Sequence, residues 1–176
     1  MKIPRIAYAA YGFALLVIIL DQLTKAWVMS GLDLREMGQI LVAPPLFNLT
    51  WVENRGVSFG LFGDGSARWL LSAFSIAVAG ILGWWALKAD RRLLITAIGL
   101  VMGGAIGNVI DRIRFGYVVD FLDVSGPHVF IANFKINFPW IFNVADSAIC
   151  VGVILLILDA VRAEQEAKVG LAAEKS

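Results

Sequence analysis

The chain has 176 residues with a formal net charge of +1, and 59% of its residues are hydrophobic. With a mean hydropathy of +0.77, it carries more apolar surface than a soluble domain of this size can bury, which indicates an integral membrane protein. The small net charge, without a long basic run, excludes a nucleic-acid-binding surface. One cysteine and one histidine exclude a disulfide framework and a zinc-ligand cluster, so we expect no metal and no cofactor.

Four apolar stretches are long enough to cross the hydrocarbon core of a bilayer, which takes about 20 residues of α-helix. They cover about residues 8–28, 69–87, 93–113 and 141–161. The first stretch is alternatively the hydrophobic region of a signal peptide, but no small-residue cleavage site follows it. The sequence therefore predicts an all-α membrane protein, a single domain over residues 1–176 with four transmembrane helices.

Three of the regions outside these spans contain positive charges. They are the segment before the first span, the short connection between the second and third spans, and the segment after the fourth span, with Lys2, Arg5, Lys88, Arg91, Arg92, Arg162 and Lys168. The positive-inside rule places these regions in the cytoplasm, with both termini there and residues 163–176 as a cytoplasmic tail. The longer connections, about residues 29–68 and 114–140, then lie on the outer side. The first has β-branched and aromatic runs at 40–42, 47–52 and 57–62, which predict a small antiparallel sheet. For the second we expect a loop or short helix.

Two aspartates flank the start of the last span, where ionisable groups are costly and are therefore functional candidates. Asp120 precedes the span and Asp146 lies within it. Two carboxylates that converge suggest a protease dyad. Asp123 is the rival of Asp120, but the turn residues that follow it indicate a solvated position. Asn143 lies three residues before Asp146 and therefore shares its helix face.

Further polar residues fall on one face of the third span. Gly104, Asn108 and Asp111 follow the spacing i, i+4, i+7, and Arg112 lies beside them. Asp111 and Arg112 are interpreted as a structural ion pair. Gly103, with Gly107 four residues later, is typical of close helix packing.

The first span carries a matching pair of charges, Asp21 and Lys25, which share a face at i, i+4. Either they brace the helix ends or they contribute directly to a site, and the spacing leaves both roles open.

Five sequence boxes occur in order along the chain. They are Asp-Gln-x-Thr-Lys at 21–25, Asn-x-Gly-x-x-Phe at 54–59, Gly-Gly-Ala-x-Gly-Asn-x-x-Asp-Arg at 103–112, Val-Val-Asp-Phe at 118–121 and Phe-Asn-x-Ala-Asp-Ser at 142–147. This series resembles the conserved boxes of bacterial lipoprotein signal peptidase, or signal peptidase II. The resemblance implies a four-helix aspartic endopeptidase of the bacterial inner membrane with a small periplasmic β-sheet. Such an enzyme removes the signal peptide of diacylglyceryl-modified prolipoproteins just before the lipidated cysteine.

The resemblance also implies roles for individual residues. Asp120 and Asp146 would be catalytic, near the periplasmic face of the membrane. Substrate or inhibitor binding would fall to Asn54, Gly56, Gly104, Asn108, Arg112 and Asn143, and structural polar roles to Asp21, Lys25 and Asp111. The implied partners are prolipoprotein substrates, membrane lipids and the cyclic peptide inhibitor globomycin.

Two other functions fit some of these features. A small transporter or proton channel also places carboxylates within a helical bundle, although no inverted repeat is visible in the sequence. A structural assembly protein would use buried amides and hydroxyls to join helices, and it would tolerate Asn at either aspartate.

Overall fold

The computed structural model describes residues 6–56, 66–126, 129–131, 134–136 and 140–173. Within these residues, four helices are long and apolar enough to cross a membrane. They are α1 (Ala7–Ala26), continued by a π-helical segment at Trp27–Gly31, α3 (Ser66–Ala86), α4 (Arg92–Arg114) and α5 (Val144–Ala173). A short helix, α2 (Leu34–Met37), follows the π-helical segment. The predicted four-helix membrane architecture is confirmed.

Helix α4 occupies the centre of the bundle. In its most apolar stretch 72% of the residues are buried, against 22–28% in the other three helices, which turn large apolar side chains outward. Glycines allow this central position, because the backbone at Gly103 lies close to the carbonyl oxygen of Ala14 in α1, and that at Gly104 to the carbonyl oxygen of Ala145 in α5. A Cβ at either position would push a neighbouring helix away. The close packing predicted at Gly103 is therefore observed.

One end of the bundle carries a four-stranded antiparallel sheet in the order β1-β2-β3-β6. Its strands are β1 (Gln39–Ala43), β2 (Phe47–Asn54), β3 (Val118–Asp123) and β6 (Ile141–Phe142). In a separate two-stranded sheet, β4 (Val129–Ile131) pairs antiparallel with β5 (Phe134–Ile136). The small sheet predicted from the first connection is confirmed, but only β1 and β2 come from it. Strand β3 comes from the second connection, which we expected to be a loop or short helix, and β6 occupies the first two residues of the predicted fourth span, whose helix begins at Val144. The run predicted at 57–62 lies outside the described residues.

The sheet packs on the end of α1 through its own hydrophobic cluster. Leu49 of β2 and Val119 and Phe121 of β3 bury their side chains against Val28 and Leu34. The alternation of β3 explains this contact, since successive side chains on a strand point to opposite faces. Because Val119 and Phe121 point into this cluster, Asp120 points the other way, towards the helices α4 and α5.

Candidate active site

Asp120 lies in the middle of β3, opposite Val52 of β2, and is only 2% exposed. Both of its carboxylate oxygens accept hydrogen bonds from amide groups. Asn54 Nδ2, at the end of β2, donates to Oδ2 at 2.9 Å, and Asn143 Nδ2 donates to Oδ1 at 2.7 Å. The carboxylate of Asp120 is thus held in one orientation on a rigid strand.

Asp146 is fixed by the start of helix α5. Asn143 is the N-cap of that helix, because its Oδ1 accepts a hydrogen bond from the Asp146 backbone N–H at 2.9 Å. The Asn143 backbone N–H in turn donates to Asp146 Oδ2 at 3.3 Å, which completes a reciprocal capping box. Since the cap uses the oxygen of the Asn143 amide, its nitrogen is left to face Asp120. One capping residue therefore contacts both aspartates.

Asn108 on α4 provides the remaining amide beside the pair. Its Nδ2 donates to Asp146 Oδ1 at 2.8 Å. Its Oδ1 accepts from Asn143 Nδ2 and from Lys25 Nζ, both at 3.2 Å. With an ammonium group on the oxygen side, this amide can present only its N–H group to Asp146.

The surroundings of Asp120 favour its protonated form. Burial, and then the neighbouring charge of Asp146, raise the pKa of Asp120 from 3.8 to about 6, although amide hydrogen bonds oppose the shift. Arg112, half-buried on α4, is close enough to interact electrostatically with both carboxylates. No ion pair or hydrogen bond joins its guanidinium to another described residue, so within the described part of the chain its N–H donors are available to a ligand.

A groove with a volume of about 440 Å³ lies beside Asp146. Its lining residues are Trp140, Ile141, Phe142, Asp146, Ser147, Cys150 and Val151. Asp146 is half-buried, whereas Asp120 is almost fully enclosed, so Asp146 is the carboxylate that faces this space. The groove suits an apolar ligand that reaches a single charged group.

The structure brings most of the predicted site residues together. Asn54, Asn108 and Asn143 surround the two aspartates, and the Gly56 backbone N–H, at φ +86°, donates to Asn54 Oδ1 at 2.9 Å and so orients that amide. Gly104 lies behind these residues in the contact between α4 and α5. Its predicted role in ligand binding stays a prediction.

The predicted ion pair between Asp111 and Arg112 is replaced by a different one. Lys25 Nζ lies 2.8 Å from Asp111 Oδ2 and 2.9 Å from Asp21 Oδ2, and all three side chains are almost fully buried. Neighbouring residues on a helix point in different directions, so Asp111 faces Lys25, and Arg112 is close enough to interact with it electrostatically without forming the predicted ion pair. Gln22, which was not predicted as a site residue, also contacts this group, because its Nε2 donates to Asp111 Oδ1 at 2.9 Å. Its place in the first sequence box was the available signal.

Asp123, the rival of Asp120, lies at the other end of β3. It is buried rather than solvated, and Thr50 Oγ1 donates to its Oδ2 at 2.6 Å. The Ser125 backbone N–H donates to its Oδ1 at 2.9 Å. These contacts stabilise the turn after β3 and leave Asp123 away from the amides that surround Asp120.

Comparison with known proteins gives a consistent result. The family model described as Signal peptidase (SPase) II matches residues 13–162. The chain is 47% identical to a protein named Lipoprotein signal peptidase from Caulobacter vibrioides, over 94% of each chain. It is 43% identical to a protein of the same name from Pseudoalteromonas translucida, over 86% of this chain and 87% of that protein.

The chain belongs to the signal peptidase II family. A solved structure described as a bacterial membrane enzyme matches with a TM-score of 0.69 and 31% identity, over 86% of this chain and 92% of that one. The protein is therefore a multi-pass membrane peptidase of the signal peptidase II type, and this membership does not favour the transporter alternative.

Proposed function

We propose that Asp120 and Asp146 are the catalytic dyad with which this signal peptidase II cleaves the signal peptides of diacylglyceryl-modified prolipoproteins, just before the lipidated cysteine. The observation that carries the proposal is Asn143, whose amide and backbone hydrogen-bond both carboxylates. A protein in which these aspartates were merely structural would have no need to hold two like charges beside one capping residue. In an aspartic peptidase, that arrangement is a requirement of the mechanism.

The two carboxylates share one proton, so that one acts as the general base and the other as the general acid. Asp120, with its pKa raised to about 6, carries the proton, and Asp146, which faces the groove, acts as the base. Asp146 takes a proton from water as the water oxygen bonds to the scissile carbonyl carbon, while Asp120 gives its proton to the carbonyl oxygen. The tetrahedral intermediate then collapses. Its C–N bond breaks as Asp146 returns a proton to the leaving amine and Asp120 recovers its own.

The neighbouring donors orient the reactants. Asn54, Asn108 and Asn143 hold the carboxylates in place, which lowers the reorganisation needed during the reaction. The guanidinium of Arg112 is close enough to interact electrostatically with both carboxylates, and in this mechanism its N–H donors bind peptide carbonyl oxygens of the substrate. A guanidinium beside the dyad also stabilises negative charge that develops on the tetrahedral intermediate.

The groove beside Asp146 provides the apolar part of the substrate site. Trp140, Phe142 and Val151 line it, and its volume of about 440 Å³ accommodates apolar side chains of the signal peptide. The diacylglyceryl chains would remain in the surrounding lipid. Globomycin, a cyclic peptide inhibitor, would occupy the same site in competition with the substrate.

The distribution of charge supports an orientation in the bacterial inner membrane. Lys88 and Arg91 lie in the connection between α3 and α4, and Arg92 is the first residue of α4, at the end of the bundle opposite the sheet. There Arg91 Nη2 pairs with Asp159 Oδ2 at 2.7 Å. The positive-inside rule assigns this end to the cytoplasm, together with both termini. The sheet, Asp120 and Asp146 would then lie at the periplasmic face.

A cleavage assay with the purified protein in detergent micelles tests this function. We expect it to cleave a diacylglyceryl-modified prolipoprotein and to leave the unmodified precursor intact, and globomycin should inhibit the reaction. The matched control is Asp120→Asn, which keeps the shape of the side chain without an ionisable carboxyl group that can give and take a proton. Cleavage by that variant at a tenth or more of the wild-type rate would remove Asp120 from the dyad.

A further inference from the structure

A buried ion cluster lies directly behind the proposed dyad. It consists of Asp21 and Lys25 on α1 and Asp111 on α4, of which none is more than 2% exposed. Lys25 Nζ has three acceptors at hydrogen-bond distance, namely Asp21 Oδ2 at 2.9 Å, Asp111 Oδ2 at 2.8 Å and Asn108 Oδ1 at 3.2 Å. An ammonium group has three N–H donors, so every donor of Lys25 is used.

Each carboxylate of this cluster also holds a particular backbone N–H group. Asp21 Oδ1 accepts from the N–H of Ala145 at 3.0 Å, and Ala145 immediately precedes Asp146. Asp111 Oδ2 accepts from the N–H of Val119 at 3.0 Å, and Val119 immediately precedes Asp120. The cluster therefore accepts a backbone hydrogen bond from the residue that precedes each of the two proposed catalytic aspartates.

The third contact of Lys25 reaches the dyad through a side chain. Asn108 accepts from Lys25 with its oxygen and donates to Asp146 Oδ1 with its nitrogen, at 2.8 Å. Without the ammonium group, only the Asn143 amide, whose Nδ2 donates to the same oxygen at 3.2 Å, would hold that oxygen away from Asp146. Lys25 thus supplies the charged one of the two donors that orient this amide towards the reacting carboxylate.

We infer that Lys25 is a positioning residue for the peptidase reaction. Its ammonium group contacts the side chains of Asp21, Asp111 and Asn108, and these three side chains set the separation and orientation of the two proposed catalytic aspartates. This inference rests on the proposed function of the two aspartates. It extends the bracing role predicted for Asp21 and Lys25, since a brace for the helix ends alone would not need to contact the backbone beside both aspartates.

Loss of the lysine should disturb turnover more than substrate binding. Without the ammonium group, Asp21 and Asp111 carry two like charges on either side of an empty position, and their repulsion pushes β3 away from the start of α5. Lys25 does not line the groove beside Asp146, so the groove still binds the substrate. A displacement of about 1 Å at reacting groups costs about 100-fold in rate.

Two variants separate positioning from folding. Lys25→Met removes the charge and leaves the cluster with an additional net negative charge. The double variant Lys25→Met/Asp21→Asn restores the wild-type net charge of the cluster, and the asparagine introduced at position 21 still offers an oxygen to the Ala145 N–H. For the folded fraction of either variant, measured by size exclusion and thermal unfolding, we expect kcat to fall about 100-fold while KM stays within about threefold of wild type. In the double variant the two carboxylates no longer repel each other, so its loss of turnover comes from the missing Lys25 contacts to Asp111 and Asn108.

Arg91→Met is the matched control, because it breaks an ion pair between two helices at the opposite end of the bundle. It should lower the melting temperature and leave kcat per folded molecule unchanged. The inference is overturned if the double variant turns over like wild type, or if neither lysine variant folds, since either result makes Lys25 purely structural. An inactive wild-type protein would instead refute the proposed function, whereas active wild type with active lysine variants removes this inference alone.

Discussion

The raised pKa of Asp120 predicts that the site is stabilised when its charge is removed. In the folded protein Asp120 titrates near 6, compared with 3.8 for an exposed aspartate, so the native state holds a proton in this interval that the unfolded chain has released. Stability of the wild type therefore falls as the pH rises from about 4 to about 6 and stays lower above that range. Asp120→Asn carries no ionisable group at this position, and the variant should lack this pH-dependent loss.

The size of the effect follows from the same shift. A rise of about 2 pKa units corresponds to about 3 kcal/mol of lost stability once the carboxylate is fully ionised. The asparagine of the variant would offer one oxygen where Asp120 offers two, so either Asn54 or Asn143 must give up an acceptor. That change costs about 1 kcal/mol. The net gain of about 2 kcal/mol near pH 8 would raise the melting temperature by about 4–8 °C.

Thermal unfolding in detergent micelles at pH 5 and pH 8 measures this difference. The matched control is Asp123→Asn on the same strand. Burial raises the pKa of Asp123, but hydrogen bonds from Ser125 and Thr50 outweigh burial and hold the pKa below its ordinary value. The charged form of Asp123 is therefore stabilising, and its substitution should lower stability at pH 8. A gain for Asp120→Asn that does not grow with pH, or a loss at pH 8, would refute the electrostatic reasoning.

Three further predictions concern the dyad and its orientation. Asp146→Asn should abolish cleavage of the lipidated substrate in a folded protein, and turnover at a tenth of the wild-type rate would argue against its role. Asn143→Ala removes the helix cap and the amide donor between the two carboxylates. The variant should lose about 1 kcal/mol of stability, and its kcat should fall by a much larger factor than the factor by which its KM changes. An unchanged kcat would contradict this. The topology is tested in a Cys150→Ser background with a thiol reagent that does not cross the membrane. The reagent should label the Ser125→Cys variant in intact spheroplasts, and it should label the Asp90→Cys variant only after permeabilisation. The reverse labelling pattern would show that the proposed orientation is inverted.

The helices were predictable because the relevant information is local. A run of about 20 apolar residues satisfies its own backbone hydrogen bonds as a helix, whatever else the chain does. The sheet was only half predictable, because β2 pairs with β3 from a different connection between helices. From the sequence, the residues after α4 were expected to form a loop or short helix. Whether Val118–Asp123 forms a strand depends on the neighbouring strand and on the groups that cover its two faces, and these come from distant parts of the chain.

For the site, too, some features were predictable from the sequence and others were set by the tertiary structure. The sequence by itself determined that Asp120, Asp146 and three asparagines are present in a membrane chain where polar groups need a purpose. Only the tertiary structure decided that Asn143 contacts both carboxylates and that Asp111 pairs with Lys25 rather than with the adjacent Arg112. The physical reason is that a hydrogen bond forms only between groups at close range and in one orientation, and the packing of α1, α4, α5 and β3 sets both.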